Sequence, residues 1–164
     1  MSGSVPSLRV GQGFDVHPFS QDPGRHLVLG GVELDGPGLA GHSDADAVAH
    51  AITDALLGAA GLGDIGEHFP DNEPKWEGAN SVTLLIAAVA LVRGAGWTIA
   101  NVDCTVVLEA PRLSPVRAAM QNRLSVAVGA PVSVKAKRAE KLGAIGRAEG
   151  IACFAIALLI EAER

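Results

Sequence analysis

The chain has 164 residues, 48% of them apolar and 19% charged, with a net charge of −5. That is enough for one domain with a sizeable core, too apolar for a disordered chain, and of the wrong sign for a general nucleic-acid binder. No apolar run is long enough to span a bilayer, and the N-terminal MSGSVPS lacks the basic and apolar parts of a signal peptide, so a cytoplasmic protein with no membrane partner is expected.

Taken in order, residues 1–7 form a small polar tail, expected to be mobile, ahead of a single domain over 8–164. Residues 8–19 read as a strand in which Gly11 and Gly13 let the backbone bend or approach something closely. A turn at 21–25 leads to a second strand over 26–34 with Gly30 and Gly31 inside it, and a Gly/Pro-rich link follows at 36–41. Ser43 with Asp46 three residues on resembles a capping box, which predicts a helix over 45–58. Residues 61–71 read as a loop with one short turn, and 73–78 as an exposed loop. A helix over 79–95 carries an apolar stripe of Val82, Leu85, Ile86, Val89 and Val92. Alternation through Ile99, Val102, Cys104 and Val106 predicts a strand over 97–108. A helix from Ser114 or Pro115 to Val128, a strand over 132–137 and a charged loop over 138–150 come next. Residues 151–162 suit helix or strand by composition alone. Cys104 and Cys153 sit in apolar runs and form no C-x-x-C, so buried free thiols in a reducing compartment are expected. The alternation of elements implies an α/β fold of the α+β type, a single-layer mixed sheet with helices on one face.

Ionisable residues concentrate in two stretches. Asp46, His50 and Asp54 recur every four residues and share one face of the predicted helix. Asp15 and His17 alternate along the first strand and point to one side of it. Together Asp15, His17 and His50 supply one carboxylate and two imidazoles, a set able to hold a divalent ion and leave a coordination position open. The same residues also suit a surface pair at a strand end and a hydrogen-bonded helix histidine. If they do hold a metal, the set serves several ions, including the iron of a mononuclear oxygenase.

The motifs G-x-G-F-D-V-H, G-H-S-D-A-D-x-x-x-H and D-A-L-L-G-A-A-G-L-G-D-I-G-x-H-F-P-D resemble those of the 2-C-methyl-D-erythritol 2,4-cyclodiphosphate synthases of the non-mevalonate isoprenoid route. The likeness runs from Arg9 almost to the C-terminus, with landmarks at 101–111 and 140–152. It implies a lyase that cyclises 4-diphosphocytidyl-2-C-methyl-D-erythritol 2-phosphate and releases CMP. It also implies a terminal strand at 151–162 and a homotrimer with active sites between subunits. Asp15, His17 and His50 match the family's zinc ligands, one ion per chain, and Glu140 matches its ligand for a second divalent ion, Mg2+ or Mn2+, on the substrate diphosphate. His42 and Ser43 match phosphate contacts, His42 with a transition-state role. Asp64, Ile65 and Gly66, followed by Phe69, Asp71 and Glu73, match the methylerythritol pocket, and Val16 is expected among the substrate contacts. Ala110, Pro111, Arg112 and Leu113 match the cytidine site. Arg147 and Glu149 match residues at a threefold axis, beside a central channel able to accept isoprenoid diphosphates. Asp46 and Asp54 are expected to orient His50 or the loop after it.

One segment departs from the pattern. Where relatives commonly read K-A-T-T-T-E-K-L-G-F-T-G-R-G-E-G, this chain reads KAKRAEKLGAIGRAEG. Lys137, Arg138 and Ala139 replace three Thr, the middle of which is assigned a phosphate contact. Arg138 is expected to take over that contact, with Lys137 on the opposite side of the extended segment. A trimeric binding module that has lost turnover through this change is the other reading of the same fold.

Overall fold

The computed structural model describes residues 7–162, so most of the expected tail lies outside the described residues. Four strands form a mixed sheet: β1 (Leu8–Pro18), β6 (Gly150–Glu161), β4 (Trp97–Val107) and β5 (Val132–Lys137), in the spatial order β1-β6-β4-β5. The pairs β1–β6 and β6–β4 are antiparallel, and β4–β5 is parallel, joined by a crossover through helix α4 (Arg117–Val128). Residues 151–162 thus become a central strand. The three-residue step from Ile99 to Val102 in β4 keeps both side chains buried because the register shifts between Ile99 and Asn101.

Two short strands, β2 (His26–Leu29) and β3 (Val32–Pro37), form a separate hairpin where one continuous strand was expected. Gly30 and Gly31, at φ 58° and 71°, make its two-residue turn, a conformation that needs positive φ at both positions. Helix α1 (Ala47–Ala60) begins two residues later than the capping-box pattern suggests. Asp46, and not Ser43, is the N-cap, accepting from the N–H groups of Val48 and Ala49. The same buried carboxylate accepts from Gly30 N at 2.9 Å and Gly31 N at 2.7 Å, so it clamps the hairpin turn to the helix start. Ala45, at φ 56°, makes the bend that aims Asp46 this way. Asp46 therefore does not orient His50, as the shared helix face implied.

The remaining helical pieces are α2 (Ile65–His68), a 3-10 turn at Pro74–Trp76, α3 (Ser81–Gly94) and α5 (Gly143–Gly146). The face α3 buries is Ser81, Leu84, Leu85, Ala88, Val89 and Val92; Ile86 of the expected stripe points to solvent. Cys104 and Cys153 are buried free thiols. Among the described residues no helix is long and apolar enough to cross a membrane.

α1 lies against β1 without intervening side chains. A Cβ on Gly11 would stand 1.9 Å from Ala55 O, and one on Gly13 1.9 Å from Ala51 O. The strand glycines therefore serve close packing. On the opposite side of the sheet Leu8, Val10, Phe14, Val16, Phe154 and Ile156 are exposed, and the rings of Phe14 and Phe154 stack 4.9 Å apart across the β1–β6 pair. Gly13→Ala forces the helix away and is expected to cost at least about 1–3 kcal/mol in urea unfolding. Gly58→Ala, on the exposed side of α1 with nothing within 4 Å of the new methyl, is expected to gain about 0.5–1 kcal/mol.

Candidate metal centre and substrate cleft

Residues 11, 13, 15 and 17 alternate on the face of β1 that meets α1. The glycines admit the helix, and Asp15 and His17 follow where the helix begins, opposite His50 in its first turn. Asp15 Oδ2 lies 2.9 Å from His17 Nε2 and 3.1 Å from His50 Nδ1, and the two ring nitrogens are 3.3 Å apart. One donor atom from each residue falls within 4.8 Å of the others.

The donor chemistry suits a cation. His17 Nδ1 lies 2.7 Å from the Ala40 carbonyl, which can only accept, so Nδ1 carries the proton and a neutral His17 presents a bare Nε2 to Asp15 and His50. A bare nitrogen, a second imidazole and a carboxylate then converge on one point, an arrangement that a divalent ion or a proton must relieve. Burial alone would push the Asp15 carboxyl up, but the hydrogen bonds and charges of His17 and His50 outweigh it and hold the group at about 2. Burial would likewise lower the His17 imidazole, yet the Asp15 carboxylate, helped by Ala40, raises it above its ordinary 6.5.

A cleft of about 460 Å³ opens over these residues, lined also by His42, Ser43, Ile65, Gly66, Phe69, Asp71 and Trp76. Arg25, absent from the residues singled out above, staples one rim by donating to Leu39 O at 2.8 Å and Ser43 O at 2.7 Å. Asp54 accepts from Ile65 N at 2.8 Å, so this carboxylate does orient the loop that supplies the other rim. Burial, resisted by that amide, raises the Asp54 carboxyl above its ordinary value.

On the metal side, Asp64, Glu73 and Val16 lie off the cleft lining although substrate contacts were expected there. Asp64 is exposed and caps α2 through Glu67 N at 3.0 Å, Glu73 pairs with Lys75, and Val16 faces the outer side of the sheet. Asp44, Ser81 and Leu84 were not anticipated. Leu84 lines the cleft, and Ser81 Oγ stands 2.8 Å from His50 Nε2. Ser81 at a helix start reads in sequence as an ordinary cap, which hides it.

A second cavity, of about 320 Å³, is lined by Leu108, Glu109, Pro111, Arg112, Leu113, Ser114, Ala136, Lys137 and Arg138. It shares no lining residue with the first. The Ala110–Pro111 bond in its wall is cis. Lys137 and Arg138 both face this cavity, where opposite sides were expected: β5 ends at Lys137, and strand alternation stops with it. Glu140 is exposed beyond it at φ 52°, and Arg147 pairs with Glu149 at 2.6 Å.

The YgbB family model matches residues 8–160. A 2-C-methyl-D-erythritol 2,4-cyclodiphosphate synthase of Synechococcus sp. is 52% identical over 97% of this chain and 98% of its own length. Among solved structures, the bifunctional IspDF of Campylobacter jejuni superposes with a TM-score of 0.91 at 42% identity, over 97% of this chain and 44% of that one. The IspF of Plasmodium falciparum, in a CDP complex, superposes with a TM-score of 0.83 at 36% identity, over 98% of this chain and all of that one.

The shifts of Asp15 and His17 set a pH window for the metal-free protein. A lowered carboxyl stabilises the fold above its ordinary 3.8, and that contribution is lost as pH falls toward 2. A raised imidazole stabilises the fold below 6.5, and that contribution is lost as pH rises through its folded value. Calorimetry of chelator-treated protein should give the highest Tm between about pH 4 and 6.5. A Tm that climbs steadily from pH 6 to 8 would contradict the assignment.

Proposed function

The chain belongs to the YgbB family, and from that premise we propose that it converts 4-diphosphocytidyl-2-C-methyl-D-erythritol 2-phosphate to 2-C-methyl-D-erythritol 2,4-cyclodiphosphate and CMP. The observation that carries the reading is the Asp15, His17 and His50 cluster at the base of a cleft, in a chain matched from end to end by synthases. A 2-phosphate oxygen bonds to the β-phosphorus, the bond from that phosphorus to the CMP oxygen breaks, and CMP leaves with the electron pair. CMP is a good leaving group, so no strong general acid is needed. The obstacle is bringing two anions together: single charges about 4 Å apart repel by roughly 4 kcal/mol at an effective dielectric near 20.

Asp15 Oδ2, His17 Nε2 and His50 Nδ1 would hold zinc, one ion per chain. The ion supplies Lewis acidity at the phosphoryl oxygens when bound. His42 and Ser43, on the rim stapled by Arg25, contact the phosphates. Ile65 and Gly66, backed by Asp54, receive the methylerythritol end with Phe69 and Asp71; Asp64 and Glu73 border this region in the sequence. Ala110, Pro111, Arg112 and Leu113 take the cytidine, in line with the CDP held by the Plasmodium relative. Glu140 would hold the second divalent ion, Mg2+ or Mn2+, which would offset the charge of the diphosphate when bound.

Arg138 supplies the contact that relatives assign to Thr. Its place beside Lys137 and Arg112 in one cavity supports an anion-binding role for all three. The triad and these cations line separate cavities, which supports a site completed by a neighbouring copy. The exposed apolar face of β1 and β6 suits burial in a homotrimer, with Arg147 and Glu149 near its axis and a channel for an isoprenoid diphosphate.

The test is CMP release from this substrate, which should stop with chelator and return with zinc. Metal-independent turnover would reject the site. A hydrogen bond to a charged group contributes about 1.5–3 kcal/mol, so Arg138→Ala should slow release by roughly ten- to a hundredfold with zinc content unchanged. Parent-like turnover would move the contact to Lys137 or to backbone amides. Light scattering at micromolar concentration should return three times the chain mass; an active monomer would refute the shared site.

A further inference from the structure

His50 has two ring nitrogens in different surroundings. Nδ1 faces Asp15 Oδ2, on the donor side of the cluster, while Nε2 points away toward Ser81 Oγ at 2.8 Å. Ser81 is fully buried at the first position of α3. Its hydroxyl makes a short hydrogen bond to Asp44 Oδ1, and its backbone N–H donates to Asp44 Oδ2 at 3.2 Å. A carboxylate only accepts, so the Ser81 proton is directed at Asp44. Toward His50 the hydroxyl then offers only a lone pair, and His50 Nε2 must supply the proton. A neutral imidazole protonated at Nε2 has a bare Nδ1, the atom that faces Asp15 and His17.

We infer that Asp44 and Ser81 are positioning residues whose one-way hydrogen-bond chain, His50 to Ser81 to Asp44, locks His50 in the tautomer that presents Nδ1 to a divalent cation. The inference rests on the reading of Asp15, His17 and His50 as a metal site. Capping accounts for only part of Asp44: Oδ2 takes the Ser81 N–H, while Oδ1 takes the Ser81 hydroxyl. Asn80 already caps α3 by accepting from Thr83 N at 3.1 Å. The placement is also fixed by backbone: Asp44 N donates to Ala79 O at 3.0 Å, and Gly78 N to His42 O at 2.8 Å. Ala45, in its left-handed conformation, then turns the chain so that Asp44 and Asp46 serve different elements. Ser43 Oγ, 3.1 Å from His50 Nε2 and 3.2 Å from Ser81 Oγ, completes the buried cluster.

The test uses cobalt(II) as the metal probe, titrated against a competing chelator into the full-length metal-free protein. Long-range proton–nitrogen NMR of the His50 ring reads the tautomer. The parent should show Nε2–H. Ser81→Ala should bind cobalt roughly ten- to a hundredfold more weakly and shift His50 toward Nδ1–H, now donating to Asp15. Asp44→Ala should do the same, and it carries the test if Ser81→Ala does not fold. Parent-like affinity and tautomer in the variants overturn the inference, as does weaker binding with the tautomer unchanged. Failure of the parent itself to bind cobalt overturns the metal site, and is recognisable because it precedes any substitution.

Discussion

The close approach of α1 to β1 is the constraint on which the site depends. At Gly11 and Gly13 the helix backbone occupies the space a side chain would need, and Ala51, Ala55 and Ala59 keep the helix side equally small. Helix and strand therefore meet at a separation set by backbone atoms, which cannot change rotamer to accommodate a shift. Two residues further along the same strand face, that separation becomes the distance between Asp15, His17 and His50. Ångström-scale ligand geometry is thus anchored to a backbone-to-backbone contact.

Around this contact, acidic residues act as struts more than as surface charge. Asp46 ties the Gly30–Gly31 turn to the start of α1, Asp54 ties α2 to its middle, and Asp44 reaches the start of α3. Each satisfies backbone N–H groups that would otherwise be left without partners near the core, where such omissions are expensive. Each also brings negative charge toward a region read as binding phosphates. The arrangement is workable because these carboxylates are spent on amide and hydroxyl donors behind the cleft, while a cation and imidazoles would face the substrate.

Much of this was legible in the chain itself. The D-x-H pair on a strand and a histidine on a helix face marked the cluster, and periodicity found β4 and α3 within two residues, whereas the strand at β6 was ambiguous by composition and came from the resemblance. The failures have physical causes. Gly30–Gly31 inside an apolar run reads as a weak strand, because nothing local says that both residues adopt positive φ. Asp46 and His50 share a helical face on paper, but a cap residue lies outside the helix and its side chain turns back across the first turn. The paired aim of Lys137 and Arg138 depends on the residue at which β5 stops pairing. Ser81 and Asp44 lie 37 positions apart and meet only because α3 packs beside α1. No pattern within either segment contains that encounter.

β1 carries two unrelated surfaces in alternation: Asp15 and His17 on one side, Phe14 and Val16 on the other, held in step by eleven register pairs with β6. Insertion or loss of a single residue in this stretch would exchange the two sets, burying phenylalanine among the imidazoles and turning the carboxylate outward. Length here is consequently constrained as well as identity. An odd-numbered indel within β1 disables both faces at once.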